Sequence, residues 1–144
     1  MARPYLPAES IPTIADDHRV IGNVVNGVSP LVLTELSKQH NGLVLVVAND
    51  TQQAHSLEQS IRFYGQAEAI KVRLFSDWET LPYDVFSPHE DIISSRLETL
   101  LALPHLKSGI VIVSLATLIQ RLPPVSFLQA NSFQLKKGQQ LDLI

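Results

Sequence analysis

Leu43-Val44-Leu45-Val46-Val47-Ala48-Asn49-Asp50 decides the fold. Six apolar residues, three of them β-branched, run without a polar break. A strand with two apolar faces suits a parallel sheet covered by helices on both sides. Asp50 then offers a helix N-cap, and Gln53 stands where a capping box needs its partner. Ala54, Leu57, Ile61 and Tyr64 follow at helical spacing. Glu58 and Arg62 stand four apart in the favourable order, and Gly65 closes the helix. Ala69–Phe75 reads as a second strand, with Ile70, Val72 and Leu74 alternating against Lys71 and Arg73. Gly109 introduces Ile110-Val111-Ile112-Val113, a third buried strand.

Outward from this frame, Pro4, Pro7 and Pro12 predict an extended lead-in. Arg19-Val20-Ile21 is a candidate short strand, and Gly22 to Gly27 a loop. Ser29-Pro30 predicts a helix start, with the helix running to about His40 and ending at Asn41-Gly42. Leu115–Leu122 reads as a short helix stopped by Pro123-Pro124. Val125–Leu135 reads as an extended exit segment. The order is βαβαβ, with four to five parallel strands. This predicts an α/β fold: a doubly wound parallel sheet with right-handed crossovers and helices on both faces. The expected division is one α/β domain over 1–124 and the start of another over 125–144.

A second stretch, Ser76 to Leu103, carries the sharpest local signals. Asp77, Trp78, Tyr83, Asp84 and Phe86, broken by Pro82, form an aromatic and acidic loop. Ser87 is placed as an N-cap, Pro88 as the first helical residue and Glu90 as the box partner. Ile93, Leu97, Leu100 and Leu101 then recur at helical spacing. Arg96 is positioned to bond back to Asp77 or Asp84. The loop reads as a satellite core over the sheet, as a protein contact or, least well, as a base-stacking surface. Five acids and no Lys or Arg lie between Asp77 and Asp91, a field that repels phosphate.

Composition excludes several classes. A net charge of −3 lacks the basic bias of a nucleic-acid binder. The chain has no cysteine, which removes thiol chemistry and Cys-based metal sites and fits a reducing, cytoplasmic setting. No apolar run approaches a membrane span. No two of the five histidines have the i,i+4 spacing of a helical metal pair. In an open α/β sheet, phosphate favours the first strand-to-helix loop. Here that loop holds Gly22, Gly27 and a hydroxyl, Ser29, but Val28 stands where a P-loop needs lysine. No acid ends the third strand, and Asp50 at the end of the first is better read as a cap than as a magnesium ligand. The site residues read as a degenerate P-loop with no cofactor, metal or catalytic group of its own.

DWETLPYDVFSPHEDIISSRLETL, over residues 77–100, closely resembles a segment of bacterial transcription-repair coupling factors (Mfd). VIG, LVLVVAND, GIVIVSLATLIQRLPP and SFQLKKGQQL agree with it. The resemblance implies a module similar to the excision-repair subunit UvrB, keeping a helicase-like α/β fold without its nucleotide site. It further implies that the chain is part of a longer protein, an ATP-driven DNA translocase that displaces stalled RNA polymerase. The motor, with its ATP and magnesium, and the polymerase- and DNA-binding domains are expected downstream. UvrA is expected to contact mainly the following subdomain, and the module itself to contact the parent's other domains. The motif from Asp77 to Arg96 transfers as a family hallmark, with no chemistry attached.

Overall fold

Gly109–Ser114, strand β3, is the axis of the sheet, and every residue in it is buried. Strand β1, Leu43–Ala48, pairs with it on one side and strand β2, Val72–Phe75, on the other, both parallel. The register sets Val46 beside Ile112 and Leu74 beside Ile112 from the other side. A computed structural model describes residues 10–132 except 13, 26, 41, 67–68, 81–84 and 86. Among these the sheet has three strands in the order β1-β3-β2, fewer than the four to five expected. Arg19-Val20-Ile21 is not a strand: Val20 is 96% exposed and no neighbouring backbone pairs with it. Two apolar residues after an arginine bury too little to hold a strand.

Helix α1 spans Val28–Gln39, α2 spans Thr51–Tyr64 and α3 spans Glu90–Ala102. The β1–α2–β2 connection passes over β3 to the far edge, and β2–α3–β3 returns. Right-handed crossovers in opposite directions put their helices on opposite faces. The packing agrees. Val46, Ala48, Val72, Ile110 and Ile112 form one core with Ala54 and Ile61 of α2, and Leu33 of α1 packs against it. Phe75, Val111 and Val113 face the other way, toward Leu100 of α3. This is the doubly wound arrangement, but the second face is incomplete. Leu45 is 56% exposed and Val47 46%, so β1 is not covered on both sides as its sequence suggests.

The caps show how local sequence set the boundaries. Asp50 Oδ1 accepts from Gln53 N–H at 2.7 Å, and Gln53 Oε1 accepts from Asn49 N–H at 2.7 Å, a capping box displaced by one residue on its return arm. Gly27, at φ 93°, is the cap of α1, so Ser29 lies inside the helix. Glycine has no Cβ to clash in the αL conformation, and with Gly27 as the cap the helix starts two residues earlier than Pro30. At the other end His40 leaves the helix in an extended conformation, and Asn41 lies outside the described residues. Ser87 and Pro88 also precede their helix: His89 caps α3, its Nδ1 accepting from Asp91 N–H at 3.3 Å. Glu90 and Asp91 occupy the first turn, where the helix dipole favours them. A capping box from Ser87 to Glu90 is therefore not formed. Strand β2 starts at Val72 rather than Ala69, because Ala69 adopts φ 51° and breaks the extended run.

After β3, Ser114 Oγ accepts from Thr117 N–H at 3.2 Å and starts the short helix α4, Leu115–Leu118. Val125–Ala130 is a helix, α5, not an extended segment. Helix α4 ends at Leu118, with Ile119 as its cap, and so stops short of Leu122 and of the prolines expected to end it. The prolines instead lead into α5, and Leu128 is buried beside α3. Gly109, at φ 125°, lies so near β2 that a Cβ there would meet Lys71 O at 2.6 Å.

Candidate functional site

Arg96 is the most unusual side chain in the fold. It is 2% exposed, yet it sits on a helix whose leucine spacing predicted an apolar inner face. Leu97, one of those leucines, is exposed instead. Phe75, at the end of β2, and Trp78, three residues on, form the two jaws of a clamp. The Arg96 guanidinium carbon lies 4.2 Å from the Phe75 ring centroid and 4.1 Å from that of Trp78. A cation between two aromatic faces is held by both ring quadrupoles.

Hydrogen bonds close the clamp. Arg96 Nη1 donates to the Ser76 carbonyl, and Nη2 donates to Gln120 Oε1 at 3.2 Å. Gln120 Nε2 in turn donates to Asp77 Oδ1 at 2.8 Å, and Asp77 Oδ1 also accepts from Trp78 N–H. The expected direct ion pair from Arg96 to Asp77 is therefore replaced by a relay through Gln120. The amide fits because it donates to the carboxylate and accepts from the guanidinium at once. Burial lowers the Arg96 pKa from its usual value, and the nearby Asp77 charge works against that shift. Arg96 Nε is buried without a partner among the described residues.

The clamp joins three elements: the loop after β2, helix α3 and the turn after α4. Tyr83, Asp84 and Phe86, the remaining loop residues of the motif, lie outside the described residues. Ser87 and Pro88 are described, and both lie ahead of α3. Sequence reasoning found Asp77, Trp78 and Arg96 but missed Phe75, which reads only as a strand residue, and Gln120. A glutamine beyond the third strand carries no motif, and only the three-dimensional closeness of α4 to the loop exposes its part.

The glycine loop forms no comparable assembly. Gly22 has no heavy atom near its Cβ direction, Gly27 caps α1, and Val28 is 43% exposed at the helix start. Ser29 makes no cap hydrogen bond, and Pro30 is buried. Among the described residues no three His, Asp or Glu side chains cluster as a metal site, and no helix is long and apolar enough to cross a membrane.

No protein-family model matches the chain. Curated relatives do. The chain is 46% identical over 131 residues to the transcription-repair-coupling factor of Haemophilus influenzae, an alignment covering 91% of this chain and 11% of that protein. It is 40% identical over 132 residues to the transcription-repair-coupling factor of Escherichia coli, again over 92% of this chain and 11% of the relative. The Staphylococcus aureus protein of the same name is 31% identical over 124 residues. The chain spans about a tenth of the length of the curated relatives it matches.

Proposed function

The chain belongs to the transcription-repair-coupling factor family, and from that premise we propose that it is a non-catalytic scaffold and interaction module of such a factor. The observation that supports this reading is the clamp. At the described base of the aromatic and acidic loop, the interacting groups are spent on one another: the Phe75 and Trp78 rings on Arg96, and Asp77 on Gln120 and the Trp78 amide. Arg96 therefore braces loop, helix and sheet and holds a surface in shape.

In this reading the three-stranded sheet is a UvrB-like relative of the helicase fold in which the nucleotide site has degenerated at Gly22, Gly27, Val28 and Ser29. The intact protein would be an ATP-driven DNA translocase of the bacterial cytoplasm, with ATP and magnesium in a motor further along the chain. It would displace stalled RNA polymerase and recruit UvrA. UvrA would bind mainly through the subdomain that follows, and DNA and polymerase through later domains. The module would contact those other domains of its own parent.

A thermal-shift titration with magnesium and ATP tests the non-catalytic assignment. A ligand held at a hundred times its Kd stabilises by about 2.7 kcal/mol. For a domain of this size that is a rise of roughly 5 °C or more. The expected outcome is no saturable shift. A saturable rise would show that the module binds nucleotide itself and would overturn the reading.

A further inference from the structure

Among the described residues the outer edge of β2 is open, and both neighbouring helices overhang it. Between them lies a slot of about 710 Å³. His55, Glu58 and Arg62 of α2 line one wall and Glu98 of α3 the other, with the backbone from Lys71 to Leu74 as its floor.

Strand geometry fixes which peptide groups face this slot. Ile110 N–H donates to the Lys71 carbonyl at 2.8 Å. The peptide groups of Lys71 and Arg73 therefore point at β3, and those of Val72, Leu74 and Ser76 point outward. Two of these outward carbonyls are occupied by guanidinium groups. Arg62 Nη2 donates to Val72 O at 2.8 Å, and Arg96 Nη1 donates to Ser76 O. Between the two arginines, the N–H and C=O of Leu74 have no hydrogen-bond partner among the described residues. An unpaired edge is a template for another strand, and strand addition takes affinity from such backbone groups.

Charge in the slot selects the occupant. Arg62 pairs with Glu58 at 2.8 Å, and Arg73 with Glu98 at 2.9 Å. Lys71 forms no ion pair among the described residues, so the surplus charge is positive. We propose that the β2 edge at Leu74 is a docking site for an extended acidic peptide segment, which adds as a short strand between α2 and α3 with a carboxylate near Lys71. The arginines at either end confine the pairing to the Leu74 region. The proposal rests on the sheet edge alone and does not depend on the scaffold reading.

Fluorescence anisotropy on the intact protein tests it with two labelled eight-residue peptides, one alternating valine with glutamate and one alternating valine with lysine. The glutamate peptide is expected to bind saturably, at least ten-fold more tightly than the lysine peptide. Leu74→Pro removes the outward N–H and leaves the ladder to β3 untouched, because proline is tolerated where an edge N–H faces away from the sheet. It should weaken binding at least ten-fold. Lys71→Glu should reverse the preference between the peptides, and carries the test alone if Leu74→Pro fails to fold by circular dichroism. No saturable binding, equal affinity for both peptides, or binding unchanged in the variants overturns the proposal. So does self-association that Leu74→Pro abolishes while neither peptide binds, which would mean that the edge pairs with a second copy.

Discussion

The two faces of the sheet solve the same problem with different materials. Toward α2 the sheet is closed by aliphatic side chains, Ile61 and Ile112 among them fully buried, with Ala54 allowing close approach. Toward α3 it is closed by an arginine held between two aromatic rings, and near β1, at Leu45 and Val47, it stays partly open among the described residues. The aliphatic face gains from area alone, which is forgiving of exact geometry. The clamp face depends on direction: ring planes, a carbonyl and an amide must all be in place. Losing one part leaves the others buried and unpaired. The first face is suited to holding the fold together, the second to fixing where a loop sits.

The comparison can be broken at its strong end first. Ile112→Ala empties a site at the centre of the aliphatic core and is expected to cost about 3–4 kcal/mol in urea unfolding. A cost under about 1 kcal/mol would mean that this face is not the main source of stability. Next, Arg96→Ala is expected to cost about 2–3 kcal/mol, since it strands the Ser76 carbonyl and opens a gap between the rings. Trp78 is the only tryptophan, so its fluorescence reports the clamp directly. The emission should shift to the red in the folded variant. A variant that melts like the wild type but loses a partner would show that the loop is an interface and not a brace.

Two smaller effects sharpen the contrast. Asp50→Ala removes the cap of α2 and should cost about 1 kcal/mol, read from the same urea transition. Leu45→Thr lies on the open part of the second face and should change the stability of this chain by no more than about 0.5 kcal/mol. A loss of 2 kcal/mol or more at Leu45 would place a cover over that face.

The sequence made the aliphatic face legible and the clamp face only half so. Strands β1 and β3 stand out because an unbroken apolar run has few other uses, and the Asp50 cap is legible because capping depends on neighbours in the chain, though Gln53 returns to Asn49 rather than to Asp50. The start of α3 is ambiguous in the sequence for the reverse reason. Ser87 and His89 both offer a cap, and only the path of the chain after Pro88 chooses between them. Helix α5 is not legible in the sequence, because a proline pair signals the end of a helix as readily as the start of one. The burial of Arg96 was hidden because an arginine between leucines on a helix ordinarily snorkels outward. Its partners Phe75 and Gln120 lie 21 and 24 residues away in opposite directions, and the sequence does not announce such a meeting.

The order of the strands also has a consequence for the birth of the protein. The central strand is the last of the three to be made. While β1 and β2 leave the ribosome they lack β3, the one strand with which each pairs among the described residues. Until Ser114 has emerged there is no ladder to form, and two apolar strands wait unpaired. Late closure of distant contacts slows folding and leaves such segments open to mispairing. A nascent chain halted before Gly109 would be a client for chaperones, and a few residues more would complete its sheet in one step.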